Sequence, residues 1–388
     1  MSAIRTLRIL SAVVLLGLLL NACSSTDADT AATDTTDAGT AATDTTDEDD
    51  GESVETQTSE ESSNTEESAG DTPEEFVELK VASTASAASL PLFVATSAGL
   101  FEDEGLDVDL QVLGGGPAVA TALASGEAQV GVSSVNVLLQ TISSGTPLIG
   151  FLTVATSDAT SAFSDTSFSI TATDESIASP ADLVGRTVGV PGGPGFQIYV
   201  QRAVEAAGGD PDALEFVTAG EQSDLMASLA VGDLDAVALS DPAGCDAVSN
   251  IDGAFELLRG GGYIASRVGG ITTAEFADAN PDVVMSVTRA LVRADHLIRT
   301  DSQQAAEIGT QWIPGTTVDS LLCAIENGGW DPRVSDFVEE SWGVQNDILI
   351  GDDRIVEAVA YEDGFDPSFV QEVEEQHPEL FDDLPAIP

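Results

Sequence analysis

Between residues 78 and 240 the chain switches repeatedly between two hydrophobic periods, and this alternation restricts its fold more than any other feature. Glu78 to Ser83 alternates polar and apolar residues, as a strand with one covered face does. Leu92, Ala95 and Leu100 then fall on helical spacing over Pro91–Phe101, and Gly105 ends the run. Leu106 to Leu113 alternates strictly and predicts a second strand. Three glycines and Pro117 follow; Pro suits the first turn of a helix, predicted over 118–124 and closed by Gly126. A strand over 128–132, a helix over 135–143 and a strand over 147–155 complete the first series. The second series predicts a strand at 187–190, a helix at 197–207, a strand at 214–217, a helix at 225–231 closed by Gly232, and a strand at 235–239. From about Thr272 the chain reads mainly helical, with Asn280 as an N-cap ahead of Pro281. Strands separated by helices cannot pair as hairpins, so the class is α/β, with mostly parallel sheet covered on both faces.

Ligands in open α/β sheets gather beyond the carboxyl ends of the strands. The loops 83–89, 114–118, 133–136, 191–196 and 240–244 all fall there. Each is rich in glycine or small polar residues and precedes a helix. The first N–H groups of a helix lack intrahelical partners and carry partial positive charge, which suits a carboxylate or sulfonate.

The N-terminus reads as an address. Arg5 and Arg8 precede an apolar run from Ile9 to Leu20, too short to span a bilayer but right for a secretory signal over 1–22. Leu20-Asn21-Ala22-Cys23 resembles a bacterial lipobox, which implies a lipidated Cys23 holding the protein on the outer face of a membrane. Residues 23–76 are then the modified cysteine and an acidic linker. Ala31 to Asp37 recurs unchanged at Ala41 to Asp47, and Ser, Thr, Ala, Asp and Glu dominate. Such a segment buries too little apolar area to offset its ordering entropy, so disorder is expected.

Charge excludes several functions. The formal net charge is −55, from 67 acidic and 12 basic residues. It repels phosphate backbones, so no nucleic acid is expected as a partner. Of the acidic residues 18 lie in 24–75, so 49 remain in the body against ten basic ones, a balance that suits saline surroundings. Three cysteines and two histidines supply little for a metal site, and Lys80 is the single lysine. Neither a cofactor nor a metal is expected, and no Ser/His/Asp arrangement or nucleotide loop stands out.

Four segments appear in the order of a known family: Ala98-Gly99-Leu100-Phe101-Glu102-Asp103-Glu104-Gly105-Leu106-Asp107-Val108; Gly116-Pro117 with Ala122-Leu123-Ala124-Ser125-Gly126-Glu127-Ala128-Gln129-Val130-Gly131; Ala178-Ser179-Pro180-Ala181-Asp182-Leu183-Val184-Gly185-Arg186-Thr187-Val188-Gly189-Val190-Pro191; and Leu229-Ala230-Val231-Gly232-Asp233-Leu234-Asp235-Ala236-Val237-Ala238. They resemble the solute-binding proteins of ABC importers, in the nitrate/sulfonate/taurine branch that includes thiamine-precursor binding proteins. The resemblance spans about 79–300. It implies the type II periplasmic-binding-protein fold: two α/β lobes joined by a two-strand hinge. Lobe I would be 77–172 plus 268–388, and lobe II 173–267. It further implies a monomer, not an enzyme, that closes on a small-molecule ligand and docks on a membrane permease. Pyrimidine-synthesising enzymes share this fold, but their chemistry needs a cofactor-holding lysine and a sacrificial histidine, and the stretch 77–172 offers only Lys80, on a strand, and no histidine; a lipoprotein that passes ligand occupancy to a sensor is the other alternative.

By the same resemblance Ser86, Gly116, Pro117, Ser133 and Ser134 would bind from the first lobe, and Gly193, Phe196, Ser240 and Asp241 from the second. Several relatives carry an aromatic residue where Asp241 stands; an aspartate there disfavours an anion, unless it caps the next helix. Arg267 is the candidate to pair with an acidic ligand group, or else joins a surface ion pair. Cys245 and Cys323 fall in different implied lobes. An extracytoplasmic setting permits a disulfide, but a bridge would hinder closure, so two buried thiols are expected. Trp312, Trp330 and Trp342 are expected in the core.

Overall fold

The structure is a computed structural model that describes residues 76–155, 158–192 and 194–388. The signal segment, Cys23, the acidic linker up to residue 75, and Gly193 lie outside the described residues.

In chain order the strands are β1 (Val77–Thr84), β2 (Leu106–Leu113), β3 (Val130–Ser134), β4 (Leu148–Ala155), β5 (Phe168–Ala172), β6 (Thr187–Pro191), β7 (Glu215–Ala219), β8 (Ala236–Ser240), β9 (Phe255–Arg259) and β10 (Val268–Thr273). The first-series helices are α1 (Leu90–Ser97), α2 (Leu100–Asp103), α3 (Gly116–Ser125) and α4 (Val135–Ser143), and the second-series helices are α5 (Pro194–Ala206), α6 (Gln222–Val231) and α7 (Ala243–Asn250). The C-terminal third adds α8 (Ala274–Ala279), α9 (Pro281–Thr300), α10 (Ser302–Trp312), α11 (Val318–Asn327), α12 (Asp336–Gly351), α13 (Tyr361–Gly364) and α14 (Ser368–Gln376).

Two five-stranded sheets result, ordered β2-β1-β3-β10-β4 and β7-β6-β8-β5-β9. The predicted strands and helices of both series form, with ends displaced by a few residues, except that the helix predicted over 91–101 breaks at Gly99, whose φ is 73°, into α1 and α2. Central strands β3 and β8 bury nearly every residue, as strands covered on both faces must, whereas β2 at an edge keeps alternate side chains exposed. Gly126 and Gly232 end α3 and α6 in the left-handed region, at φ 75° and 79°, where a Cβ would be strained.

The sheets are mixed rather than mostly parallel. β10 runs antiparallel to β3 and β4, and β5 runs antiparallel to β8 and β9. Each of these strands adjoins a crossing between the sheets. A chain entering a sheet from the edge where its parallel strands end must run against them. β10 escaped the sequence reading because Gly269 and Gly270 interrupt its alternation. Asn280 does stand before α9, but its side chain makes no cap bond; its Nδ2 donates back to the Phe276 carbonyl at 3.1 Å.

Among the described residues the crossings are 158–167 and 260–267. They are tied together by the buried Asp165 carboxylate, which accepts from the amides of Gly262, Tyr263 and Ile264 at 3.1, 2.6 and 3.3 Å. The described residues belong to one compact unit. The first sheet packs Leu79, Val81 and Phe151 against Phe93, Leu291 and Val370. The second packs Ile170, Val188 and Val190 against Tyr199 and Val204. No helix among the described residues is long and apolar enough to cross a membrane.

Candidate functional site between the sheets

The carboxyl ends of β1, β4 and β8 and the start of α5 converge on a cavity of about 200 Å3. Ser86, Ala87 and Ala88 line it from the loop after β1, Ser240 and Asp241 from the end of β8, and Phe196 from α5. The crossings add Ser167, Phe168 and Ser266, and α11 with its following loop adds Ala324, Gly328 and Trp330. The wall is therefore aromatic and aliphatic, with hydroxyl groups set into it. Phe168 and Phe196 pack ring to ring at 4.8 Å. The loop after β1 is held by its own hydroxyls: Ser83 Oγ donates to Ser89 Oγ at 2.7 Å, and Ser86 Oγ lies 3.1 Å from Thr84 Oγ1. Ser240 is fixed by Gln222, whose Oε1 accepts from its backbone amide at 2.8 Å.

Asp241 carries the one charged side chain on this wall. It is buried, and its Oδ2 accepts from Arg259 Nη1 at 2.5 Å and from Asn327 Nδ2 at 3.0 Å. Burial pushes its carboxyl above the usual range, while Arg259 and Asn327 pull it back. The Arg259 guanidinium also pairs with Glu256 at 2.7 Å and donates to the Thr166 carbonyl at 3.2 Å. Both charges are thus spent on each other and on protein partners. Asp241 is not a helix cap: the residue capping α7 is Pro242, which offers no side-chain acceptor.

Four of the sequence candidates, Ser86, Phe196, Ser240 and Asp241, meet around this cavity. Gly116, Pro117, Ser133 and Ser134 do not line it. Ser133 Oγ is buried without a hydrogen-bond partner and faces Gly116 so closely that a Cβ there would lie 2.9 Å from it. Pro117 borders a separate surface hollow between α3 and α4, and Ser134 caps α4 by accepting from the Val137 amide at 3.4 Å. Gly193 lies outside the described residues.

Arg267 also stands apart from the cavity, between Ser266 and Val268, which line it. Its guanidinium is buried and donates to Ser341 Oγ at 2.7 Å and to the carbonyls of Asp158 and Ser161 at 3.0 and 2.6 Å. Burial lowers its pKa to about 10. It pins both crossings to α12 and is no surface ion pair.

The cysteine expectation is corrected: Cys245 of α7 and Cys323 of α11 form a disulfide. The two helices lie side by side, so the thiols expected to remain free meet. Of the tryptophans, Trp312 stacks on Phe93 with centroids 5.3 Å apart and Trp342 is buried, while Trp330 belongs to the core and to the cavity wall at once.

Sequence reasoning missed Phe168, Ser266, Ala324, Gly328 and Trp330. The first two flank the crossings, whose small polar residues gave a weak signal. The α11 residues gave none, because nothing local says that a helix near residue 320 folds back over the end of β8. A larger crevice of about 910 Å3 is lined by the first crossing, from Asp158 to Thr166, with Arg259 and residues of α9 and α11, and shares Gly328 and Trp330 with the inner cavity. Of the strands only β9 reaches it, through Arg259, and the rest of its wall is crossing, helix and chain end, so it is the weaker candidate.

Two lobes enclosing a walled cavity define the class of two-lobed α/β binding proteins. The chain belongs to the NMT1/THI5-like family, which matches residues 86–305. A Brucella abortus protein described as a binding protein is 23% identical over 223 residues, covering 57% of this chain and 66% of the relative. The chain thus spans just under two thirds of that relative's length. A formylaminopyrimidine-binding protein of Halalkalibacterium halodurans is 34% identical over 147 residues, 38% of this chain and 42% of the relative. The periplasmic aliphatic sulphonate binding protein SsuA of Escherichia coli superposes with TM-score 0.63 at 18% identity, covering 74% of this chain and 96% of SsuA. The periplasmic nitrate-binding protein NrtA of Synechocystis gives 0.61 at 13% identity, covering 81% and 92%. The likeness shows that the chain has the type II periplasmic-binding-protein fold.

Proposed function

We propose that this protein is the solute-binding component of an ABC importer and hands a small organic ligand to a membrane permease. The observation that carries the reading is the cavity at the carboxyl ends of strands from both sheets, walled by hydroxyls and aromatic rings. Family membership and the binding-protein fold support it. The pyrimidine-synthesising alternative gains no support, since the chain's lysine, Lys80, lies on β1 in the body of the first sheet.

The cavity also selects a ligand chemistry. An apolar cavity of about 150 Å3 takes benzene, so one of about 200 Å3 fits a single substituted ring. No unspent cation lines the wall to hold an anion, and the Asp241 charge is already matched by Arg259. The preferred cargo is uncharged, planar and able to hydrogen-bond to serine hydroxyls. One relative is described as a formylaminopyrimidine-binding protein, and a pyrimidine is a single ring.

The setting follows from the sequence. A secretory signal, a lipidated Cys23 and an acidic tether would hold a monomeric body outside the cell membrane, and the excess of acids would suit it to salt. Thermal-shift screening in molar salt tests the function with aminopyrimidines, aromatic acids, sulfonates and nitrate. An uncharged heterocycle should raise the melting temperature by several degrees. Stabilisation by anions alone would overturn the ligand chemistry, and failure of all four classes would overturn the transport reading.

A further inference from the structure

The disulfide is the one feature that the cargo-binding reading leaves unused. Cys245 lies on α7, which packs on β5 and β8 of the second sheet, and Cys323 lies on α11, which packs on α10 beside the first. The bond therefore joins the two lobes, in addition to the crossings 158–167 and 260–267. It does not act alone. Ser320, Cys323 and Asn327 occupy positions i, i+3 and i+7 on one face of α11. Opposite them stand Asp246, Cys245 and Asp241. The cysteines are joined, and Asn327 donates to Asp241 at 3.0 Å. Asn327 Nδ2 also lies 3.6 and 3.4 Å from the two sulfurs. The neighbouring Ala324 and Gly328, with Asp241, form part of the cavity wall.

We propose that this α7–α11 seam is a covalent clasp that fixes the lobes together along one edge of the cavity, so that the lobes turn about the seam instead of parting there. Reduction releases the clasp. A small dithiol supplies two electrons by thiol–disulfide exchange: its thiolate attacks one sulfur, the Cys245–Cys323 bond breaks through a mixed disulfide, the dithiol closes into its own disulfide, and both cysteines end as thiols. Cys323 is only half-buried, which gives the reductant access. With the bond gone, the seam rests on the Asn327–Asp241 hydrogen bond and its packing, and the cavity opens more widely and more often. The oxidised protein therefore holds its contents longer than the reduced one.

The test needs no ligand, so it stands apart from the assignment of cargo. The full chain is compared oxidised, reduced with dithiothreitol, and as the Cys245→Ser/Cys323→Ser variant. Non-reducing peptide mapping should recover the Cys245–Cys323 crosslink. Hydrogen exchange at the amides of 241–247 and 320–328 should quicken at least tenfold in the reduced protein and the variant, while α9 stays protected. Small-angle scattering should show a larger radius of gyration in both, reversed on reoxidation. Unchanged exchange and radius, absence of the crosslinked peptide, or general unfolding on reduction by circular dichroism would each overturn the clasp. If the variant fails to fold, the reduced native chain still decides the question.

Discussion

At the scale of single residues, two buried aspartates behave oppositely. Asp241 is spent on Arg259 and Asn327, so its removal takes the closest counter-charge from a half-buried guanidinium and leaves it Glu256 and the Thr166 carbonyl. Asp241→Ala should cost about 3–5 kcal/mol, the usual penalty for breaking a buried pair. Adding Arg259→Met should return part of it, which a double-mutant cycle of melting temperatures measures. An unchanged melting temperature would show that Asp241 is free for cargo. Asp295 on α9 has no such partner: it is fully buried, and neither carboxylate oxygen finds a hydrogen bond. Burial raises its pKa well above the ordinary value, against the weaker pull of Arg299. The folded state therefore binds this proton more tightly than the unfolded state. Stability from this group is full below the unfolded pKa and falls as pH climbs through the range above it. Asp295→Asn should raise the melting temperature by roughly 2–4 °C at neutral pH, and the gain should shrink to nothing below about pH 4. A pH-independent difference in melting curves would contradict this.

At the scale of elements, the crossings and α12 act as one assembly. Arg267 holds them by donating to Ser341 and to two carbonyls of the first crossing. Arg267→Met keeps much of the packing but leaves those carbonyls without a donor. It should lower stability by about 2–4 kcal/mol, one or two lost buried charged bonds, while cargo affinity changes less than twofold. A large affinity loss with an unchanged melting temperature, read by calorimetry, would return Arg267 to the ligand. The regular elements were legible because each carries its own period: Leu106 to Leu113 alternates and becomes β2, and 135–143 becomes α4 as predicted. β10 was not, since Gly269 and Gly270 have no side chains to alternate. Its place between β3 and β4 is set by partners more than a hundred residues earlier in the chain.

At the scale of the whole molecule, charge dominates. The chain carries −55 overall, and repulsion among like charges opposes a compact body. At about 1 M salt the Debye length shrinks to roughly 3 Å and that repulsion is screened. The melting temperature should climb steeply between dilute buffer and molar salt, and a flat profile by scanning calorimetry would refute the saline adaptation. The candidate site was half legible at this scale. Ser86, Phe196, Ser240 and Asp241 could be named because strand ends followed by helices mark where ligands gather. Gly116, Pro117, Ser133 and Ser134 obey the same rule yet do not line the cavity, because which strand ends converge depends on how one lobe is set against the other.

The sequence by itself determined the local periods, the helix-ending glycines and the overall charge, since each is a property of neighbours in the chain. The tertiary structure alone decided three things: that α11 lies along α7, that Cys245 therefore meets Cys323, and that Arg259 neutralises Asp241. These depend on contacts between residues far apart in the chain, and no local pattern encodes them, because only the packing of the two lobes brings such residues within bonding distance.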